Sequence, residues 1–258
     1  MNFLIKKLIK NQEGFTLLHL IMIIVSFGIL AAVSVRFMVY ATSEGKKTSA
    51  IKEMKEILRG IYGEPELTNQ TNFGYIGDMG QFPPSLDKLY DGRGEGANWD
   101  GPYVSIEFVE SESELLNDPW NQPYVIDYND GLIKSVGSGD DIVVNFHVSS
   151  SKLLNNRLKI TVKDWNDKEP KWFSYFNFRC RLYRIGNKGT KNILVGTLNS
   201  YNASSKFTFT NIPVGNYRVE VRYSTENITQ KRYVTIYPTG ITTNLTIKFS
   251  TSFPQSLF

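Results

Sequence analysis

Apolar and polar positions divide the chain into stretches of different character. Residues 15–35 form an apolar run of 21 residues in which His19 is the only ionisable side chain. At about 1.5 Å per residue, a helix of this length extends roughly 31 Å, close to the thickness of the hydrocarbon core of a bilayer. The pattern therefore predicts a transmembrane helix over residues 15–35.

The helical period continues after this run, but now on one face only. The apolar residues at helical spacing are Ile51, Met54, Ile57, Leu58 and Ile61. Charged side chains fill the other face, which is the pattern of a helix packed against a folded domain. Gly45 is a candidate interruption, and Gly60 and Gly63 indicate the end of the helix. We expect one long helix over residues 15–61.

Residues 62–142 are rich in turn-forming residues and contain one clear hairpin pattern. Pro119 and Pro123 lack backbone donors, so a strand can begin only at Tyr124. Apolar and polar residues then alternate up to Asn129-Asp130-Gly131, a typical hairpin turn. This pattern predicts a small antiparallel sheet that lies on the apolar face of the helix.

From residue 143 onward short strands alternate with polar turns. Eight segments fit this pattern: Val143 to Val148, Leu158 to Val162, Tyr175 to Tyr183, Ile193 to Leu198, Phe207 to Thr210, Tyr217 to Tyr223, Tyr233 to Tyr237 and Thr243 to Phe249. Such spacing is typical of an antiparallel β-sandwich. Phe176, Phe178, Cys180 and Leu182 share one face, so Cys180 is expected to be a buried apolar residue. The complete fold class is α+β, with an all-β sandwich over residues 143–258.

Charge and composition narrow the choice of function. The formal net charge is +4, and Lys6, Lys7 and Lys10 precede the apolar run. These lysines place the N-terminus in the cytoplasm and the rest of the chain outside it. The remaining charge is nearly balanced, so no nucleic-acid partner is indicated. One cysteine and two histidines leave little material for a disulfide, a zinc site or a catalytic triad, and we expect no enzyme and no catalytic residues.

The junction Glu13-Gly14-Phe15-Thr16-Leu17-Leu18 resembles the processing site of type IV prepilins and of type II secretion pseudopilins. The resemblance implies that a prepilin peptidase cleaves between Gly14 and Phe15 and methylates the new N-terminus of Phe15. Residues 1–14 are then the leader. Two alternatives stay open at this point: a secretory signal cleaved near Ala31 and Ala32, and a simple uncleaved anchor.

His19 departs from the family pattern at the fifth mature position. The family usually has glutamate there, and its carboxylate is thought to pair with the N-terminal amine of a neighbouring subunit in the filament. A neutral imidazole can accept a hydrogen bond from an amine but offers no opposite charge. The departure indicates a minor, tip-located subunit, or a histidine that only packs between helices.

The middle segment carries several motifs in the order found in major pseudopilins. They are Gln81-Phe82-Pro83-Pro84, Gly101-Pro102-Tyr103, Asp118-Pro119-Trp120-Asn121-Gln122-Pro123-Tyr124 and Ser135-Val136-Gly137. The resemblance implies a pilin-like head over residues 62–142. It also implies a calcium loop after the last motif, in which Asp140 and Asp141 would bind the ion. The acidic residue expected earlier in that loop is missing, and a solvated acidic turn is the alternative.

The sandwich contains a motif of its own over residues 207–219. The pattern of Phe207, Ile212, Pro213, Gly215 and Tyr217 resembles that of carboxypeptidase-regulatory-like and transthyretin-like domains. Such domains are usually structural or adhesive appendages, and the motif specifies a fold only. The aromatic residues Trp165, Trp172, Phe173 and Tyr175 indicate either a binding patch for sugar or protein or a cap on the end of the sandwich.

Taken together, these patterns predict a filament subunit, minor or decorated, of a type IV pilus or a type II secretion pseudopilus. The expected location is the bacterial inner membrane, as a single-pass prepilin, and then a periplasmic or extracellular filament. The expected partners are the prepilin peptidase, other pilin subunits and an inner-membrane assembly platform, with no cofactor required beyond the candidate calcium. The alternative is a membrane-anchored β-sandwich adhesion module that never polymerises.

Overall fold

A computed structural model describes residues 16–64, 72–104, 116–186, 188, 192–204 and 206–256. The chain divides into two compact units, Met1–Thr48 and Ser49–Phe258. The first unit is described here only by its helix. The second contains the end of the long helix with a small sheet, which together we call the head, and a β-sandwich; this confirms the α+β fold class with a long N-terminal helix.

Helix α1 spans Leu17–Tyr62 without interruption, which confirms the expected long helix, and the candidate interruption at Gly45 does not occur. The helix ends where Gly63 adopts a left-handed φ of 74° and its N–H bonds to the Arg59 carbonyl at 2.7 Å. This is a common C-terminal cap, in which glycine accepts a backbone conformation that costs other residues energy. Two short helices follow, α2 (Gly74–Met79) and α3 (Ser150–Leu154).

A small sheet packs with the last turns of α1. Its strands β1 (Val125–Asp127), β2 (Leu132–Ser135) and β3 (Ile142–Asn145) are antiparallel in the order β1-β2-β3. The predicted apolar face of the helix is buried, except that Ile51 is 37% exposed. The buried apolar core shared by the helix and the sheet includes Ala50, Met54, Ile57, Leu58, Ile61 and Ile133. The amphipathic pattern therefore identified the packed face correctly.

Strand β3 corrects one prediction. The segment Val143 to Val148 was expected to be the first strand of the sandwich. In the structure Ile142–Asn145 pairs with β2, with Val144 opposite Ile133 and Val143 opposite Lys134. Both edges of β2 are thereby hydrogen-bonded, which leaves the sheet with three strands rather than a bare hairpin.

The sandwich consists of two sheets. One contains β4 (Asn156–Lys163), β7 (Phe207–Ile212) and β10 (Thr243–Lys248), in the order β10-β4-β7. The other contains β5 (Phe178–Ile185), β6 (Asn192–Leu198), β8 (Gly215–Tyr223) and β9 (Ile228–Ile236), in the order β6-β5-β8-β9. The expectation of a wholly antiparallel sandwich was wrong in one pair, because β10 runs parallel to β4.

The facing sides of the two sheets enclose the larger apolar core. Ile160 of β4 and the alternate residues Phe178, Cys180 and Leu182 of β5 are fully buried in it. Burial raises the pKa of the Cys180 thiol, which is consistent with the expected apolar role of this residue. Phe176 had been assigned to the same face, but it lies in a 3₁₀ turn (Trp172–Asn177) before β5 and is 81% exposed.

Head and sandwich contact each other inside the second unit. The buried guanidinium of Arg184 donates a 3.2 Å hydrogen bond to the Asp78 carbonyl of α2. The Val214 N–H donates to the Leu153 carbonyl of α3 at 2.9 Å, and both of these residues belong to the core of the head. These contacts bury side chains from both parts, so the sandwich is not a loosely tethered appendage.

We expect the Ile160→Ala variant to lose about 2–5 kcal/mol of unfolding free energy, because the truncation leaves a cavity in the sandwich core. Denaturant titration followed by tryptophan fluorescence measures this loss. The control is Lys159→Ala, one residue earlier on the outward face of the same strand, for which we expect a change within about 0.5 kcal/mol. Equal losses in the two variants would contradict the assignment of faces in β4.

Candidate functional site

The N-terminal part of α1 presents an uncovered apolar surface. Leu17 is 74% exposed, Phe27 is 67% exposed and Phe37 is 72% exposed, and the large apolar residues between them are similarly uncovered. By length and composition, α1 is the one candidate membrane span within the described residues. Exposure of so much contiguous apolar surface to water is energetically unfavourable, so this segment requires lipid or other helices around it.

Polar side chains within this apolar surface bond to their own helix. The hydroxyls of Ser26, Ser34 and Thr42 each donate a 2.8 Å hydrogen bond to the carbonyl four residues earlier. A hydroxyl satisfied in this way can enter hydrocarbon without an unmade hydrogen bond. These three hydroxyls are therefore compatible with a lipid environment.

His19 lies exposed in the first turns of α1, near the beginning of the described chain. Its ring nitrogen Nδ1 and the Thr16 hydroxyl are in hydrogen-bond contact. The contact ties the imidazole to the residue that precedes the first turn of α1. The predicted processing site, Gly14 and Phe15, lies outside the described residues.

Asp118 organises the head at the motif that the sequence analysis singled out. Its carboxylate accepts hydrogen bonds from the Ser135 hydroxyl at 2.6 Å and from the Gly137 N–H at 2.8 Å. The other oxygen accepts from the N–H groups of Trp120, at 3.0 Å, and Gln122, at 2.8 Å. Ser135 and Gly137 follow Asp118 by 17 and 19 residues, so one buried side chain connects two sequence motifs that are distant along the chain.

The same geometry explains why position 137 is glycine and why Asp118 is ionised. A Cβ at Gly137 would lie 2.5 Å from the Trp120 Cβ and 2.7 Å from the Asp118 carboxylate, which is too close for any other residue. Burial alone would raise the pKa of Asp118. Hydrogen bonds from the Ser135 hydroxyl and three backbone N–H groups outweigh it and hold that pKa below the ordinary value.

The acidic loop that follows does not provide a calcium cage by itself. Asp140 and Asp141 are both exposed, and the Asp141 carboxylate lies 3.8 Å from the Lys134 ammonium. Over the described ranges, no group of three or more histidine, cysteine, aspartate or glutamate side chains is arranged to hold a metal ion. Calcium requires six to eight oxygens, so these two carboxylates do not fit it alone. Calcium binding at Asp140 and Asp141 stays a prediction.

The aromatic residues between β4 and β5 are mostly open to solvent. Trp172 is 69% exposed and Trp165 is 58% exposed, with its indole N–H bonded to the Ser252 hydroxyl at 2.5 Å. Phe173 and Tyr175 are half-buried, and the Tyr175 ring contacts Tyr201 edge-on. The set therefore divides: Tyr175 helps to close the end of the sandwich, whereas the two tryptophans lie outside the core.

One group of residues escaped the sequence analysis entirely. The outward face of β5, β8 and β9 carries Arg179, Arg181, Arg218, Arg222 and Lys231. In sequence these residues only alternate with core residues, which any half-buried strand does. The signal that could have found them is the charge of the C-terminal part counted alone, because the whole-chain average conceals it.

Comparisons with known proteins add little. No family model matches the chain, and no curated protein matches it. Among solved structures, the crystal structure of BcpA, the major pilin subunit of Bacillus cereus, is similar over 47% of this chain and 37% of that chain. The sequence identity is 16% and the TM-score is 0.27, a likeness too low to carry an argument.

We expect Asp118→Asn to lower the unfolding free energy at pH 7 by about 1–3 kcal/mol, because an amide cannot accept all four hydrogen bonds. The pKa of Asp118 is lower in the folded than in the unfolded chain, where it is about 3.9. The ionised Asp118 carboxylate therefore stabilises the folded chain at pH values above its unfolded-state pKa. This stabilisation is lost as the pH falls through its folded-state pKa.

Denaturant titrations of wild type and variant between pH 2 and pH 7 measure the difference. It should be largest at neutral pH and shrink below about pH 4. Asp130→Asn, at an exposed hairpin position, is the control and should match wild type within about 0.5 kcal/mol at every pH. A pH-independent difference for Asp118→Asn would contradict the carboxylate network.

Proposed function

We propose that this chain is a prepilin that matures into a subunit of a type IV pilus or a type II secretion pseudopilus. The observation that carries the proposal is the difference in burial between the two ends of α1. Its N-terminal part exposes apolar side chains, and its residues from Ala50 to Tyr62 are built into the core of a folded head. A subunit that is stored in lipid and then packed into a filament requires both properties in one helix.

The head motifs support the same reading. Asp118 ties the Asp-Pro-Trp motif to the segment Ser135-Val136-Gly137, as a structural role for both motifs requires. The head folds on α1 and a three-stranded sheet, without a disulfide. The β-sandwich is firmly attached to this head, so it would decorate the filament, and we assign the chain to the minor or tip-located subunits.

Processing and partners follow from this proposal. A prepilin peptidase would remove residues 1–14 by cleavage between Gly14 and Phe15 and methylate the amine of Phe15. The mature chain would lie in the bacterial inner membrane, with its C-terminal bulk outside the cytoplasm, until an assembly platform moves it into a periplasmic or extracellular filament with other pilin subunits. No catalytic residue is assigned to the chain.

A second candidate is an adhesion module that keeps the helix as a plain membrane anchor. Two observations favour it: His19 stands where an assembling subunit usually has glutamate, and Trp165 and Trp172 are exposed on the sandwich. Such a protein would never leave the membrane for a filament. The two candidates differ in processing and in the fraction of cell material where the chain is found.

Co-expression with a prepilin peptidase should shorten the chain by its 14-residue leader and give a product that begins with N-methylated Phe15. Intact-mass measurement and N-terminal sequencing detect this change. Gly14→Val places a bulky side chain beside the scissile bond and should leave the precursor uncut. A product beginning near Val33 would instead indicate a secretory signal, and an uncut wild-type chain would indicate a simple anchor.

We expect His19→Glu to increase the amount of this chain in sheared filaments about two-fold or more, because a carboxylate can pair with a neighbouring N-terminal amine in a low-dielectric environment. Quantitative blotting of filament and membrane fractions measures the ratio. His19→Gln is neutral and of similar size, and should behave as wild type. If all three chains partition alike, position 19 does not control incorporation.

A further inference from the structure

The charge of this protein is distributed very unevenly along the chain. Residues 149–258 contain 17 lysines and arginines but only five acidic residues, a formal charge of +12. Since the whole chain has 29 basic and 25 acidic residues, residues 1–148 hold 12 basic and 20 acidic ones, a formal charge of −8. A domain with this excess of positive charge repels itself unless an anion is nearby.

The arginines converge on the outward face of one sheet. In the pairing of β5 with β8, Arg179 lies opposite Arg222, Arg181 opposite Glu220 and Tyr183 opposite Arg218. In the pairing of β8 with β9, Lys231 lies opposite Glu220 and Tyr233 lies opposite Arg218. We call the set Arg179, Arg181, Arg218, Arg222, Lys231, Tyr183 and Tyr233 the arginine face.

Glu220 is the one acidic side chain on this face, and it neutralises little of the charge. Its carboxylate lies 3.3 Å from the Arg218 guanidinium and 3.5 Å from the Lys231 ammonium, so two cations share it. Arg222 bonds at 2.8 Å to the neutral Asn227 side chain and keeps its charge available.

Arg179 and Arg181 are exposed, and neither forms an ion pair within the part of the chain that the structure describes. The two tyrosines add aromatic surface between the cations. The Arg218 guanidinium lies 4.6 Å from the centre of the Tyr183 ring, which is the geometry of a cation–π contact. Tyr233 is 71% exposed, so its aromatic ring is open to solvent. Positive charge interleaved with exposed aromatic rings is the composition of surfaces that bind single-stranded nucleic acid.

We propose that the arginine face binds nucleic acid, with guanidinium groups on the phosphates and Tyr233 as a stacking surface for an unpaired base. Neighbouring positions on the sheet are about 4.8 Å apart across strands and about 6.8 Å apart along them. Duplex DNA carries one charge for about every 1.7 Å of its axis, which is dense enough to meet several such cations at once. Guanidinium also binds phosphate through two parallel hydrogen bonds.

The cations of this face are placed to contact phosphates, and phosphate contacts carry no sequence information, so we expect binding that is independent of sequence. Self-association through the acidic head is less favoured, because some head carboxylates already pair locally, as Asp91 does with Arg93 and Glu56 with Arg59. This inference goes against the expectation drawn from the whole-chain charge, and it does not depend on the filament proposal.

The test uses the full chain in non-ionic detergent, titrated into a fluorescent 30-nucleotide single strand of mixed sequence and into the matching duplex at several salt concentrations. Arg179→Gln with Arg181→Gln should weaken binding of both probes at least about tenfold near 0.1 M salt and reduce the salt slope by about 1.5. Tyr233→Ala should weaken the single strand by about fivefold or more and the duplex by less than twofold.

The matched control is Arg157→Gln with Lys159→Gln, at alternate positions on the outward side of β4 in the opposite sheet. It removes the same charge and should leave affinity within about threefold. Equal weakening by the two double variants would overturn the assignment to this face. Polygalacturonate that competes as well as DNA at equal charge would overturn the assignment to nucleic acid, as would the absence of wild-type binding at low salt. Unchanged thermal melting of each variant establishes that folding is intact.

Discussion

The uncovered apolar surface of the N-terminal part of α1 is the constraint on which the rest of the account depends. Side chains such as Phe27 and Phe37 are more than two-thirds exposed, and an apolar surface of this extent is driven out of water by the hydrophobic effect. The intrahelical hydrogen bonds of Ser26, Ser34 and Thr42 lower the cost of transferring these three hydroxyls out of water. A lipid core and a bundle of like helices both satisfy the constraint, and a pilin uses one after the other.

The head makes this arrangement possible by holding the other end of α1. The apolar face from Ala50 to Ile61 is buried against a three-stranded sheet, and Tyr124 adds a 2.6 Å hydrogen bond to Glu53. Asp118 fixes the loops around that sheet through four hydrogen bonds. These bonds connect distant segments of a head that has no disulfide. The sandwich is joined through buried contacts such as Arg184 with Asp78. A binding surface on the sandwich is therefore held in a fixed position relative to the head.

Sequence alone was informative where one periodicity dominated. The apolar run and the stripe through Met54 and Ile57 gave the helix, and the end near Gly63 followed from backbone chemistry. Sequence was less informative where strands choose partners. Val143 and Val144 alternate as well in a head strand as in a sandwich strand, so only long-range pairing with β2 decides their place. The prediction for Phe176 was wrong for a related reason. This residue lies in a 3₁₀ turn before β5, and so it does not share the inward face of Phe178, Cys180 and Leu182.

The candidate sites divide in the same way. A local motif was enough to predict Gly14 and Phe15 as a processing site, whereas the arginine face exists only because three strands align their outward residues. No spacing rule within one strand could have joined Arg179 to Arg222 and Lys231. The partners of the Asp118 carboxylate could not be predicted for a similar reason. Ser135, at the end of β2, and Gly137, just after it, are distant from Asp118 in sequence and reach it only in the folded chain.

The proposed filament role requires the apolar part of α1 to lie in contact with the helices of pilin subunits. A photoreactive amino acid at Ile24, in the middle of the exposed run, tests it in living cells that carry the assembly machinery. After irradiation, the account predicts that the sheared filament fraction contains covalent adducts between this chain and other pilin subunits. Adducts found only with lipid in the membrane fraction, and none in filaments, would contradict it.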